Sequence, residues 1–130
     1  MNTVFVPQET KRRDSETGNL VPVHDFSQAL AYGRLVDLLP SFLFKASDGR
    51  MYDVIDRLVD GLAQFDDEDY IIATGDPAIL GATVLIAGTL NQGRVKLLRW
   101  DRLAKEYRAI QIDVRKHTGV QKWQGPNCVK

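Results

Sequence analysis

Apolar residues recur at helical spacing between Met51 and Phe65, while charged residues, mostly aspartates, occupy the positions between them. A period of 3.6 residues places these apolar side chains on one face of a helix and the charged side chains on the other. This segment is therefore the clearest helix in the chain, and its apolar face belongs in the core.

A second helix is predicted over residues 77–91, directly after a Gly-Asp-Pro turn. Asp76 suits the N-cap, and Pro77 suits the first helical position because it has no N–H to leave unpaired. We interpret the turn as a helix cap rather than a phosphate site, since Asp76 would place a carboxylate where an anion would bind. Asn91 and Gly93 are expected to end the helix.

The second helix carries large apolar residues in every direction, so we expect it to be buried on nearly all sides. The cover would come from the N-terminal segment, the first helix or a second subunit. The apolar residues concerned are Ile79, Leu80, Val84, Leu85, Ile86 and Leu90.

Short apolar runs rich in β-branched residues predict the strands. Residues 3–6 are expected to form an edge strand, and residues 94–100 and 107–114 a hairpin. The remaining predicted strands are 34–40, 42–46 and 70–74. The order after the N-terminal segment is β-β-α-β-α-β-β. It predicts an α/β fold of mixed α+β type, with a small mixed sheet of about four to five strands and two main helices.

The first strand of this hairpin has an unusual alternation. Val95 and Leu97 share one face of the strand, whereas Leu98 and Trp100 share the other. Either a bulge shifts the register, or both faces of the sheet are covered.

We expect three segments along the chain. An N-terminal arm over residues 1–33 packs on the domain, a single core domain spans 34–115, and a flexible tail spans 116–130. Within the arm, the polar segment 8–19 predicts an exposed loop because it has almost nothing to bury. In the tail, Trp123 is the residue able to dock.

The formal net charge of zero hides two blocks of opposite sign. Residues 48–93 carry nine acidic and two basic side chains, a net charge of −7, whereas residues 94–130 carry ten basic and three acidic, a net charge of +7. The interpretation that we favour is that the two blocks face each other in the fold. The alternative is a molecule with one acidic and one basic face, which would steer a charged partner.

The basic block is concentrated on the predicted hairpin. Cationic and aromatic side chains on neighbouring strands suit contacts to phosphates and stacking on bases. Two other interpretations stay open: Trp100 and Tyr107 pair across the hairpin, and the acidic first helix neutralises the cations. The candidate binding residues are Arg94, Lys96, Arg99, Trp100, Arg102, Lys105, Tyr107 and Arg108.

No catalytic or metal-ligating arrangement stands out, so we expect a protein that is not an enzyme and uses no cofactor or metal. His24 and His117 are far apart, and Cys128, the single cysteine, lies in the predicted tail, where a nucleophile would lack support. The acidic run 66–69 lacks the alternating spacing of a calcium loop, and we interpret it as a solvated loop.

The chain also lacks the features of a membrane or secreted protein. The longest apolar segment, residues 78–90, is too short to span a bilayer, and the N-terminus has no succession typical of a signal peptide. A single cysteine allows no internal disulfide. We therefore expect a reducing, cytoplasmic setting and no membrane partner.

Three motifs in order carry a family resemblance. They are an Arg-Arg-Asp…Gly…Val-Pro arm, an Asp-Tyr-Ile…Gly-Asp-Pro turn and a Gly-Arg…Lys…Leu…Trp-Asp hairpin. In this order they resemble small uncharacterised proteins of tailed bacteriophages, over roughly residues 4–114. The resemblance implies a phage origin and action in the cytoplasm of the infected bacterial host or in the virion. It implies no catalytic residue.

These observations together predict a non-enzymatic phage accessory protein that binds a protein of the host or phage machinery. One alternative is a structural component of the virion, as a decoration, neck or tail-associated protein. The other is nucleic-acid binding through the basic hairpin. A homo-oligomer is compatible with all three.

Overall fold

The computed structural model describes residues 2–9, 11–22, 25–39 and 52–116. In chain order its elements are β1 (Thr3–Val6), β2 (Lys11–Arg13), β3 (Leu20–Pro22), a 3₁₀ helix (Ser27–Ala31), β4 (Arg34–Asp37), α1 (Tyr52–Gly61), β5 (Tyr70–Ile72), α2 (Pro77–Leu90), β6 (Arg94–Asp101), β7 (Glu106–Asp113) and a 3₁₀ turn (Val114–Lys116).

Five of these strands form one mixed sheet in the order β4-β1-β5-β6-β7. Strands β4, β1, β5 and β6 run parallel, and β7 pairs antiparallel with β6 as the second strand of a hairpin. The predicted mixed sheet with two helices and a terminal hairpin is confirmed.

Strand β1 is not the edge strand that the sequence predicted. It lies between β4 and β5, and its residues Val4, Phe5 and Val6 are buried. An uninterrupted apolar run is typical of a parallel strand covered on both faces. Pro7, which suggested an edge, follows the strand and therefore takes no hydrogen bond away from it.

Helix α1 and the segment after it place only part of the predicted apolar face in the core, since Ile55 and Val59 are 36% and 39% exposed. Val54 and Leu58 are buried on the helix, which ends at Gly61 rather than at Phe65. Leu62 and Phe65 follow in turns and stay buried, so the apolar periodicity continues for one turn beyond the helix.

The two faces of the sheet have different cover. Helices α1 and α2 cover one face of the sheet, which we call the helix face. The buried core on this face consists of Phe5, Leu39, Val54, Leu58, Leu62, Phe65, Ile71, Ile79, Ala87 and Val95. On the other face, the 3₁₀ helix contributes to a second cluster: Val4, Val6, Ala29, Ile72, Leu98 and Tyr107. Val95 and Leu98 thus point into different clusters, and the β6–β7 register is continuous. Cover on both faces, without a bulge, explains the alternation in β6.

The prediction that α2 is buried on nearly all sides is wrong. Its buried face consists of Ile79, Thr83 and Ala87, whereas Leu85 is 71% exposed. The expected cover from the N-terminal segment is absent because the 3₁₀ helix packs on the opposite face of the sheet. Among the described residues, α2 is therefore covered on one side only.

The polar segment 8–19 was predicted as a loop, and this is also wrong. Strands β2 and β3 form an antiparallel hairpin of their own. Its turn is closed by Asp14, whose carboxylate accepts hydrogen bonds from the Thr17 hydroxyl and the Glu16 N–H. Local side-chain hydrogen bonds therefore close the turn of this hairpin.

Several predictions fall on residues outside those that the structure describes. The strand at 42–46 is one, and His24, His117, Trp123 and Cys128 are others. The division into an arm, a core domain and a tail stays a prediction, with the qualification that β1 lies inside the sheet.

Candidate functional site

The basic hairpin β6–β7 does not carry its cations on one surface. Successive side chains of β6 point to opposite faces of the sheet. Arg94, Lys96 and Trp100 lie on the face covered by the 3₁₀ helix, and Arg99 lies on the helix face. Pairing puts Tyr107 beside Trp100 and Arg108 beside Arg99. Arg102 and Lys105 lie in the connecting turn.

Two of the arginines are neutralised by aspartates. Arg94 Nε lies 3.0 Å from Asp67 Oδ1, and this oxygen also accepts a hydrogen bond from the Asn91 side chain. Both hydrogen bonds lower the pKa of the Asp67 carboxyl, and the one from Arg94 has the larger effect. Arg108 Nε lies 2.6 Å from Asp101 Oδ2 in the same way. The acidic loop before β5, not the acidic helix α1, supplies the partner for Arg94.

The aromatic residues of the hairpin pack mainly on one another. The Trp100 and Tyr107 rings meet edge to face with centroids 5.0 Å apart, as the cross-strand interpretation predicted. Lys96 Nζ lies 4.3 Å from the centroid of the Tyr70 ring, in a cation–π contact. Tyr107 is 7% exposed, whereas Trp100 is 41% exposed and can still contact a ligand.

Arg99 and Arg102 differ from the other arginines of the hairpin, since within the described ranges no carboxylate pairs with either. Both line a cavity of about 520 Å³ at the ends of β5 and β6, which we call the carboxyl-edge cavity. Its other lining residues are Asp25, Phe26, Ile72, Ala73, Thr74, Trp100 and Tyr107. Four of the eight predicted binding residues are thus brought together: Arg99, Trp100, Arg102 and Tyr107.

A second cavity, of about 500 Å³, lies between the C-terminal half of α2 and the hairpin. We call it the apolar groove, because five of its ten lining residues are aliphatic and two more are glycines. Its lining residues are Val84, Leu85, Gly88, Thr89, Gln92, Gly93, Val95, Ile112, Val114 and Arg115. The sequence prediction missed this groove, although Gly88, which leaves a gap on α2, was a signal for it.

The Gly-Asp-Pro turn before α2 acts as a cap. Asp76 Oδ1 accepts hydrogen bonds from the backbone N–H groups of Ala78 at 2.8 Å and Ile79 at 3.3 Å. The carboxylate thus occupies the place that an anion would take at this helix start.

The acidic run 66–69 was predicted as a solvated loop, but two of its carboxylates bind other parts of the fold. Asp69 is buried, and its carboxylate accepts hydrogen bonds from the backbone N–H groups of Thr3 and Asp66, each at 3.0 Å. Asp67 holds Arg94. Across the part of the chain that the structure describes, no three His, Cys, Asp or Glu side chains are grouped as a metal site.

Two further carboxylates lie away from the hairpin: Glu9 follows β1, and Asp37 is the last residue of β4. Burial, and then the nearby charge of Glu9, raise the pKa of Asp37. Glu9 also forms an ion pair of 3.4 Å with Lys11. Neither carboxylate lines the carboxyl-edge cavity or the apolar groove.

A protein-family model described as "Phage Pam3 gp32-like protein" matches residues 2–114. The chain belongs to this family. The match begins before β1 and ends just after β7, so the matched residues include the whole five-stranded sheet. It confirms the resemblance to small phage proteins, while the description gives no activity or partner. No curated protein and no solved structure matches the chain. No helix in the described ranges is long and apolar enough to cross a membrane.

Proposed function

We propose that this phage protein is not an enzyme and that it acts by binding another protein, of the host or of the phage, through the apolar groove. It acts in the cytoplasm of the infected bacterium. The observation that carries the proposal is the exposure of Leu85, 71%, and Val114, 40%, on either side of the groove. Large aliphatic side chains beside an open apolar cavity are typical of a surface that a partner covers.

The construction of the groove favours a protein side chain as its occupant. Its floor is aliphatic, and a Cβ built on Gly88 would lie 3.6 Å from Val95 Cγ2, so the helix approaches β6 closely there. Its rim is polar, where Arg115 Nη1 donates a hydrogen bond of 3.2 Å to the Gln92 side chain. An apolar centre with a polar rim is the usual arrangement of protein–protein interfaces.

The test is recovery of the partner from infected cells with matched leucine variants. Tagged wild-type protein should recover one protein in near-stoichiometric amount, and Leu85→Gln should lose it. Leu103→Gln is the control, because Leu103 is 97% exposed in the hairpin turn and does not line the groove. Failure to recover a stoichiometric partner, or its retention by Leu85→Gln, would contradict the proposal.

The virion role is separated by a second measurement. A decoration, neck or tail-associated component must be present in many copies per particle, whereas an intracellular binding protein must be nearly absent. Quantitative mass spectrometry of purified particles distinguishes the two locations. In a virion the groove would be covered by a neighbouring structural protein or by a second copy of the chain.

Nucleic-acid binding by the hairpin as a whole finds less support. Arg94 and Arg108 already pair with carboxylates, and the hairpin cations are divided between two faces of the sheet. Arg99 and Arg102 favour an anionic ligand, since both line one cavity. Binding to a duplex that falls steeply with salt and is lost on replacing Arg94, Lys96 and Arg99 by Ala would support this second function.

A further inference from the structure

The carboxyl-edge cavity lies where parallel α/β sheets commonly bind ligands. Strands β1, β5 and β6 are parallel, so their carboxyl ends meet at one edge of the sheet. The chain passes from β1 to β4 on one side and later to β5 on the other, so the topological switch point lies between β1 and β5, beside the cavity at the ends of β5 and β6. Ligands of such sheets bind outside the carboxyl ends near a switch point.

Strand β6 is open on one side at this edge. Strand β5 ends at Ile72, and the last contact between the two is the Ala73 N–H, which donates to the Leu98 carbonyl at 3.0 Å. Backbone groups of a strand point to alternate sides from one residue to the next, so the N–H and carbonyl of Trp100 point to the β5 side, as the Leu98 carbonyl does. At Trp100 this side lies beyond the end of β5. Arg99 and Trp100 can therefore both line the cavity, although they belong to opposite faces of the sheet.

The cavity combines cationic and aromatic groups. Arg99 and Arg102 present guanidinium groups that no carboxylate within the described residues pairs. Trp100 presents an exposed ring, and the buried Tyr107 ring packs against it at 5.0 Å and fixes its orientation. The Tyr107 hydroxyl has no hydrogen-bond partner in the described part of the chain, so it can bond to a ligand. Guanidinium groups bind phosphate oxygens with two parallel hydrogen bonds, and exposed tryptophan rings stack on bases.

Asp25 adds one negative charge to the lining. Its carboxylate accepts a hydrogen bond of 2.9 Å from the backbone N–H of Ser27, which lowers its pKa and keeps it ionised at neutral pH. This carboxylate disfavours a ligand with several phosphates and can accept hydrogen bonds from ribose hydroxyls or base amino groups. The volume of about 520 Å³ is that of a small-molecule site.

We propose that the carboxyl-edge cavity binds a nucleotide unit, with its phosphate between Arg99 and Arg102 and its base against the Trp100 ring. The unit is a free mononucleotide or one nucleotide of a single strand, because both present the same phosphate and base. This site is separate from the apolar groove, so it adds a ligand to the proposed protein partner.

Tryptophan fluorescence tests the proposal in the full chain. The sequence has two tryptophans, so Trp123→Phe leaves Trp100 as the single reporter. Adenosine monophosphate should quench its emission, and adenosine, which lacks the phosphate, should bind at least about tenfold more weakly. A hexamer of deoxyadenosine is the third probe. Binding of the hexamer alone would assign the site to single strands, and binding of the mononucleotide would assign it to free nucleotides.

Charge-matched variants locate the binding. Arg99→Gln and Arg102→Gln should each weaken it about tenfold or more, since each removes a charged donor to the phosphate. Lys105→Gln is the control, because it removes one positive charge from the same turn but does not line the cavity. Leu85→Gln should bind normally, which separates this site from the apolar groove. The proposal is overturned if no probe quenches Trp100, if adenosine binds as well as its monophosphate, or if Lys105→Gln weakens binding as much as Arg99→Gln.

Discussion

The carboxylate of Asp69 accepts a hydrogen bond of 3.0 Å from the backbone N–H of Thr3, across 66 positions of the chain. The same side chain accepts a second hydrogen bond from the Asp66 N–H. One buried side chain thus joins the start of β1 to the loop that leads into β5.

Replacing Asp69 by Ala should lower the free energy of unfolding by about 1–3 kcal/mol, because two backbone N–H groups lose their acceptor at a buried position. Urea denaturation measures the change. Glu68→Ala is the control, since its exposed side chain makes no such bond, and it should stay within about 0.5 kcal/mol of the wild type. Equal effects of the two variants would show that the Asp69 contact does not stabilise the fold.

Tyr32 should stabilise the packing of the N-terminal segment on the hairpin. Its hydroxyl donates to the Tyr107 carbonyl at 3.0 Å, and its ring meets Tyr70 with centroids 5.3 Å apart. Tyr32→Phe should cost about 0.5–1.5 kcal/mol, and Tyr32→Ala about 2 kcal/mol or more, because the ring contact is also lost. Leu30→Ala, at an exposed position of the 3₁₀ helix that precedes Tyr32, should have little effect on the urea midpoint. A Tyr32→Ala variant as stable as Leu30→Ala would refute this role.

The one-sided burial of α2 predicts opposite responses of two aliphatic residues. Ile79→Ala should destabilise the protein by about 2–5 kcal/mol, since Ile79 is buried in the core. Leu85→Gln should change stability by less than about 0.5 kcal/mol in the isolated protein. Thermal denaturation of both variants decides this. A large loss in Leu85→Gln would show that this side chain is covered in solution.

Two glycines predict changes of opposite sign on replacement by alanine. A Cβ at Gly81, in the middle of α2, meets nothing within 4 Å, so Gly81→Ala should stabilise the helix by about 0.5–1 kcal/mol. A Cβ at Gly33 would lie 2.5 Å from the Asn2 carbonyl oxygen, so Gly33→Ala should destabilise the start of β4. Differential scanning calorimetry should show melting temperatures shifted up for the first variant and down for the second. A higher melting temperature for Gly33→Ala would contradict the close approach to Asn2.

The Asp67–Arg94 pair predicts a pH dependence. Because the fold lowers the pKa of Asp67, the native state favours the ionised carboxylate. Its contribution to stability is therefore complete above the unfolded-state pKa, and it is lost as the pH falls through the lower native pKa. Asp67→Asn should destabilise the protein at pH 7, and the difference from wild type should vanish in acid. Urea midpoints over a pH series measure this. Glu68→Gln is the control, because it removes one negative charge from the adjacent residue. A difference that persists in acid would mean that the contribution is not electrostatic.

Local periodicity predicted the elements that depend on local contacts. The amphipathic α1, the capped start of α2 and the β6–β7 hairpin all follow from spacing and turn residues within short windows. The place of β1 was not predictable in this way, because its partners Arg34–Asp37 and Tyr70–Ile71 are distant in sequence. The burial of α2 was overestimated for the same reason: which face of the sheet the 3₁₀ helix covers is decided by tertiary packing.

The candidate site shows the same limit. The sequence identified the basic hairpin and the pairing of Trp100 with Tyr107. It could not distinguish Arg99 and Arg102 from Arg94 and Arg108, because that depends on where Asp67 and Asp101 lie. Asp25 entered the cavity lining from a segment about 75 residues from β6, which no local pattern relates to it.

The central position of β1 constrains when the sheet can form during synthesis. Its residues leave the ribosome before both of their neighbours, and the second neighbour, β5, is not available until Ile72 has emerged. A nascent or truncated chain that ends before Tyr70 therefore exposes one whole side of a buried apolar strand. Such fragments should be prone to aggregation and proteolysis, so dissection of this protein into shorter pieces should retain residues 2–113 together.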